Sequence, residues 1–309
     1  MGRFLDPKAD LTFKKVFGEH KHLVMSLLNA LLPLKAGREV VSIEYLPPEM
    51  TPRTPLSKDT IVDVRCEETG GRKFIVEMQM NWRSSYEQRA LFNAAKAYSG
   101  QLTKGEDYDL LQPVYSLNLV NDTFDWDTAD YYHHYQLVED QNHRKVLDGL
   151  HLVFVELPKF RPETLAEKKM QVLWLRFLTE IDENTRRVPQ ELLDDPHVNE
   201  ALEIVEESAY TPSEMRAYDK FWDRMSLIAT DEAERRRTLA ALDEAKVELG
   251  EAKAERRRTL AALDEAKAEL GEAKARLHQT VRQMKADGMV AEMIAKYTGL
   301  TPAEIDSVN

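Results

Sequence analysis

Apolar residues at Phe13, Val16, Phe17, Leu23, Val24, Leu27, Leu28 and Leu31 recur at helical spacing and predict one or two amphipathic helices between Asp10 and Leu32. Pro33 ends them. A strand is expected at about Glu39 to Tyr45, and Pro47, Pro48, Pro52 and Pro55 then mark an extended loop. From Asp59 to Glu67 and from Arg72 to Met80 the pattern changes to strands flanking the turn sequence Thr69-Gly70-Gly71, which predicts a β-hairpin. Val62, Val64 and Cys66 share one face of the first strand, and Phe74, Val76, Met78 and Met80 share one face of the second, so these faces predict core. The opposite faces carry Ile61, Asp63 and Arg65, together with Ile75, Glu77 and Gln79. A three-residue loop centred on Gly70 sets Asp63 directly against Glu77. A two-residue turn would mix apolar and polar residues on each face, so the pattern selects the longer loop.

Beyond the hairpin, Ser84 or Ser85 with Glu87 or Gln88 predicts a capping-box start, and Gly105 the stop of a helix reaching about Lys104. On this helix Arg89, Asn93, Lys96 and Gly100 share one face, while Leu91, Ala95, Tyr98 and Leu102 share another that is expected to be core. After Pro158 helical signals take over, with Trp174, Leu175, Leu178, Leu192, Leu193, Leu202 and Ile204 as packing residues. From Ala233 a 21-residue unit occurs twice, differing at Val247 and Ala268. Leu242, Leu249, Leu263, Leu270 and Leu277 fall on a seven-residue period in which Arg256 takes the missing leucine slot, the seam of a self-associating coiled coil, or else a charged helix docked on its own chain. The tail has Ala295 and Gly299 at the spacing of a helix-turn-helix turn, then Thr301-Pro302-Ala303-Glu304 as a capping start, which predicts a small helical hairpin that packs or mediates contacts, with DNA reading as the alternative.

The longest apolar stretch, Leu23 to Leu34, is well short of the ~20 residues of a membrane span, and the first ten residues have no hydrophobic signal core, so a cytoplasmic protein is expected. A single cysteine, Cys66, excludes a disulfide framework and a cysteine-based zinc cage. Net charge is −12, yet residues 1–104 hold 16 Lys/Arg against 12 Asp/Glu, whereas residues 105–309 hold 26 against 42. This asymmetry permits nucleic acid near the N-terminal part, and scattered surface charge is the other reading. His133 and His134, being adjacent in a predicted strand, face opposite ways and make a poor metal pair.

Opposed carboxylates with Cβ atoms ~5 Å apart destabilise a sheet. A hard cation between Asp63 and Glu77 would resolve the conflict, since Mg²⁺ favours one or two carboxylates with waters and substrate phosphates. The pair could instead be solvent-facing, or neutralised by Arg65 or Lys73.

An Asp followed about a dozen residues later by Glu-x-Gln at the end of the next strand resembles the PD-(D/E)XK nuclease superfamily, with Gln79 where Lys is commoner. Within that superfamily the resemblance is closer to one branch, the recombination-promoting nuclease/transposase (Rpn) family. It is carried by LDPKADLTFKKVFGE, TIVDVRC, GRKFIVEMQ and YEQRALFNAAKAYSGQLTKGEDYDLL, in that order, over roughly residues 1–160. The resemblance implies an α/β restriction-endonuclease-like core with a mixed central sheet flanked by helices. It also implies metal-dependent cleavage of DNA linked to recombination or mobile elements, with Asp63 and Glu77 as metal ligands and Gln79 as the third catalytic residue. Mg²⁺ is the expected ion, with Mn²⁺ or Ca²⁺ as alternatives. Asp10 and Lys14 match the family opening and stand with Arg89 as second-tier site or DNA-contacting candidates. The expected organisation is a nuclease-like domain at 1–160, a helical region at 161–230, a coiled coil at 231–280 and a helical hairpin at 281–309. The expected partners are DNA and a second copy of the chain, with no membrane. The competing function is a non-catalytic, nuclease-like interaction protein in a regulatory or anti-phage assembly.

Overall fold

The computed structural model describes residues 2–46, 61–141, 143–162 and 169–308, with the backbone alone at 61–63. The four loop prolines, Asp59 and Thr60 lie outside the described residues. The chain divides into two units, Met1–Ser226 and Leu227–Asn309.

In the first unit the predicted N-terminal helices form α1 (Asp10–Phe13), a π-helical turn (Lys14–Gly18) and α2 (Lys21–Leu31), with Phe13, Phe17, Leu23, Leu27 and Leu28 fully buried. The polar residues before α1 are structural. Asp6 accepts the Lys8 backbone N–H at 2.8 Å and pairs with Lys8 Nζ at 2.9 Å. Lys8 Nζ also donates to Leu178 O on α4 (Lys169–Glu180), where Trp174 meets Phe17 edge-on at 5.3 Å. A buried charge held this way keeps its partners. Farther along, α5 (Gln190–Leu193) and α6 (Pro196–Ile204) complete the packing, with Trp174, Leu175, Leu178 and Leu192 fully buried.

Among the described residues one sheet has six strands: β1 (Glu44–Tyr45), β2 (Ile61–Glu67), β3 (Lys73–Gln79), β4 (Val114–Val120), β5 (Tyr132–Val138) and β6 (Val146–Glu156), in the order β1-β2-β3-β4-β6-β5. The β3–β4 and β4–β6 pairs are parallel and the others antiparallel. The sheet is mixed and flanked by helices, as expected. Parallel neighbours need a long crossover, and α3 (Tyr86–Ser99) supplies it between β3 and β4. Central β4 is buried at every position, which explains its near-continuous apolar run. The face carrying Phe74, Val76, Met78 and Leu117 lies toward the N-terminal helices, where Tyr132 Oη donates to Leu31 O at 2.8 Å.

Three sequence expectations change. The strand expected at Glu39–Tyr45 pairs only at Glu44–Tyr45, because the Asn29 side chain takes the backbone N–H and C=O of Val40 at 2.7 and 2.9 Å. Ser85 is the N-cap of α3 but makes no side-chain capping bond, and the helix ends at Ser99, where Gly100 N bonds Lys96 O. The core face of α3 is Tyr86, Ala90 and Ala94, while Leu91 is 48% exposed. Small alanines let the helix lie close to the sheet against Val120, Phe154, Ile75 and Val114. Consequently both faces of the hairpin strand β3 are covered.

α7 (Pro212–Ala286) is a single helix of 75 residues that continues into the second unit. There Leu242, Leu249, Leu263 and Leu270 are all about half exposed. α8 (Ala291–Thr298) stops at Gly299 with φ +71°, and α9 (Pro302–Ser307) starts with a complete Thr301–Glu304 capping box. Val281, Ile294, Ile305 and Val308 close this end around a small core. Among the described residues no helix is long and apolar enough to cross a membrane.

Candidate active site

The turn between β2 and β3 sets the site. Glu68 N bonds Arg72 O at 3.0 Å and Gly71 N bonds Glu68 O at 2.9 Å, leaving Thr69, Gly70 and Gly71 as the three-residue loop. Gly71 has φ +84°, a left-handed conformation that glycine adopts without strain. Arg72 braces the turn with two bonds to the Glu68 carboxylate at 2.5 and 2.6 Å. This register pairs Asp63 with Glu77, Ile61 with Gln79 and Arg65 with Ile75. The two acids are therefore direct cross-strand neighbours by backbone position; the side chain of Asp63 lies outside the described residues.

Glu77 is 1% exposed. Its Oε1 accepts from Asn93 Nδ2 on α3 at 3.1 Å, and its Oε2 accepts from Tyr86 Oη at 3.3 Å. Tyr86 Oη also donates toward Asn118 Oδ1 on β4 at 3.0 Å. Asn118 Nδ2 in turn reaches Val153 O on β6 at 3.0 Å and Ser116 Oγ at 3.2 Å. Polar atoms on β3, α3, β4 and β6 thus form one buried chain of hydrogen bonds ending at a carboxylate. Burial first, and the charge of Glu77 second, push the Tyr86 phenol far above its usual range, so it remains a donor.

Gln79 is equally buried, and both ends of its amide are engaged. Oε1 accepts from Arg89 Nη2 at 2.9 Å and Nε2 donates to Asn81 O at 2.6 Å. Arg89 lies over the Tyr86 ring at 4.7 Å. Burial pulls its pKa down, and attraction to Glu77 works against that shift. The exit from β3 is held by neighbouring loops. Trp82 N bonds Asp122 Oδ2 at 2.8 Å, and the Trp82 ring stacks on Phe124 at 4.1 Å. The 121–130 segment is anchored by fully buried Glu156, which accepts Phe124 N at 2.7 Å and pairs with Lys159 at 2.5 Å and His133 at 2.9 Å. Burial alone would raise the Glu156 pKa. Its bonds from Lys159, the Phe124 amide and His133 outweigh burial and hold it below the usual carboxylate value.

Of the sequence candidates, the structure brings Glu77, Gln79 and Arg89 into one contiguous set and aligns Asp63 with it by register. Asp10 on α1 and Lys14 in the π-helical turn after it, both about half exposed, pair with each other at 2.8 Å. His133 and His134 do point apart: His133 bonds Glu156, whereas His134 meets His151 at 3.2 Å. Tyr86 and Asn118 are not singled out by the sequence pattern, although polar Ser116 and Asn118 at alternate positions of an otherwise apolar strand are a signal that one face of β4 serves a polar site.

A mixed six-stranded sheet with a helical crossover and flanking helices defines an α/β protein. The chain belongs to the PD-(D/E)XK nuclease family transposases, whose family model matches residues 7–231. No curated protein and no solved structure matches it. The matched range takes in the whole sheet and the helices through α6. Membership supports a nuclease- or transposase-related function, and PD-(D/E)XK nucleases typically depend on a divalent metal.

Proposed function

We propose that this chain is a divalent-metal-dependent DNA endonuclease linked to recombination or mobile-element activity, in which Asp63 and Glu77 hold the ion and Gln79 orients the attacking water. The observation that carries this function is the direct pairing of Asp63 with Glu77, combined with the burial of Glu77 among donors that fix both of its oxygens. Two acids placed directly opposite each other destabilise a sheet, and a bound cation would offset that cost. Carboxylate oxygens suit a hard cation, with Mg²⁺ the best match and Mn²⁺ or Ca²⁺ the alternatives. When bound, such an ion lowers the pKa of water and screens charge growing on a phosphate.

The protein groups do the positioning. Asn93 and Tyr86 orient the Glu77 carboxylate. Arg89 and the Asn81 carbonyl hold the Gln79 amide in one orientation. An amide oxygen has two lone pairs, so Gln79 Oε1 retains one to accept a hydrogen bond from water, and so orient its proton, while bonded to Arg89. It cannot take up that proton, and this leaves water activation to the ion. Arg89 serves first as the support of Gln79, and any phosphate contact would use its remaining N–H groups.

The function extends to assembly. The half-exposed leucines at seven-residue spacing on α7 favour a coiled coil with a second copy of the chain. On this view residues 1–160 carry the chemistry, 161–230 brace it, 231–280 join copies and 281–309 form a closing hairpin.

Purified protein should nick or linearise plasmid DNA with Mg²⁺ and stop on chelation, and Asp63→Asn and Glu77→Gln should each abolish cutting while remaining folded. Cleavage that persists in both variants would overturn the assignment and favour a binding protein that has kept a nuclease fold.

A further inference from the structure

A cleft of about 180 Å³ adjoins the Glu77 network, lined in part by Arg65 on β2, Lys73 and Ile75 on β3, and Asn93 and Lys96 on α3. Asn93 belongs to both sites, since it lines the cleft and also donates to Glu77 Oε1 at 3.1 Å. Arg65 stands two residues from Asp63 along β2 and is paired with Ile75, itself two residues from Glu77 along β3. At ~3.4 Å of rise per residue, the cleft therefore begins about 7 Å along the hairpin from the facing acids. Lys73 is two residues farther on and pairs with Glu67 at 2.5 Å. Lys96 follows Asn93 by three on α3, which places both on the same side of the helix.

Two acids repel the phosphates of an approaching strand, and the chain carries a net charge of −12. Affinity for a polyanion must then come from cations close to the acids. Within a mostly apolar lining the cleft provides Arg65, two residue pairs along the hairpin from the acids, and Lys96, three residues beyond Asn93 on α3, and the fork of the Arg65 guanidinium matches phosphate oxygens. We propose that it seats a backbone phosphate of the DNA strand next to the bond being cut, with Arg65 and Lys96 as the binding charges. This subsite rests on the endonuclease function above and adds the residues that position its substrate.

The test is binding of a fluorescein-labelled DNA duplex, followed by anisotropy across a salt series in chelator so that no turnover occurs. Each neutralised phosphate contributes ~0.9 to the slope of log affinity against log salt, so the Arg65→Gln/Lys96→Gln double variant should be shallower than wild type by ~1.8. The charge-keeping pair Arg65→Lys/Lys96→Arg should retain most of the slope, and Lys253→Gln/Lys274→Gln, equal in charge loss, should not alter it. If the double variant fails to fold, Lys96→Gln alone should lower the slope by ~0.9. An unchanged slope in a folded variant overturns the subsite, as does an equal loss in the Lys253/Lys274 control. Competition by inorganic phosphate as strong as that by unlabelled duplex would assign the cleft to free phosphate and also overturn it. Plasmid cleavage by the same samples separates the two claims. Cutting with an unchanged slope sinks the subsite alone, while the expected slopes without any cutting sink the catalytic function and leave a DNA-binding cleft.

Discussion

Tyr86→Phe isolates the hydrogen bonds beneath the site, because it removes one oxygen and leaves the buried ring in place. In the wild type that hydroxyl lies 3.0 Å from Asn118 Oδ1 and 3.3 Å from Glu77 Oε2, and both acceptors are almost fully buried. One proton serves one acceptor at a time, so the variant forfeits one hydrogen bond of ~1 kcal/mol and strands a buried acceptor at a further ~1–3 kcal/mol. A loss of about 2 kcal/mol is expected, which for a domain of this size lowers Tm by ~4–8 °C. Since the phenol is held far above its usual pKa, first by burial and then by Glu77, it stays protonated and the loss should be the same at about pH 6 and pH 9. Differential scanning calorimetry reads the shift, and a double-mutant cycle with Asn118→Ala should return a coupling of roughly 1 kcal/mol. Cleavage should fall about tenfold or more, as when an outer partner of a metal ligand is removed. A Tm change of under about 1 °C, or one that grows with pH, would refute the hydrogen-bond chain.

Cys66 is fully buried, and burial pushes its thiol up to about 12, so iodoacetamide at about pH 8 should label denatured protein and spare the native form. Because the folded value lies above the unfolded one of ~8.5, the stability gained from the neutral thiol is complete below that pH and lost as pH rises toward the folded value; equal labelling of both forms would contradict the burial. Glu214 accepts from the Thr211 backbone N–H and from Lys15, and these bonds lower its pKa to about 2. The stability it adds is present above the unfolded value of ~4.3 and fades as pH falls toward the folded one, so the gap between wild type and Glu214→Gln in urea melts should close on acidification; a gap that widens in acid would reverse the sign. Removing 42 residues, from Glu234 to Ala275, should reduce the solution mass by light scattering to that of a monomer without altering cleavage; an unchanged oligomeric state would sink the coiled coil.

The hairpin could be deduced from the sequence because everything that sets it is local. Turn length and alternation within some twenty residues leave one register that keeps apolar and polar faces apart, and Asp63 faces Glu77 in consequence. The heptad spacing of α7 and the Thr301–Glu304 cap are local in the same sense. The surroundings of Glu77 are not. Tyr86 and Asn93 reach it, and Asn118 reaches Tyr86, only because α3 crosses to a parallel β4 and lies back over the sheet, a long-range packing that no periodicity encodes. Nor does periodicity say which face of α3 turns inward. Leu91 and Ala95 carried the apolar signal, yet Ala90 and Ala94 are buried, because closeness of approach to the sheet matters more there than side-chain size. Short-range rules therefore put the two acids opposite each other, whereas the burial of Glu77, its donors and the cleft beside it come from the docking of one helix on β3, β4 and β6.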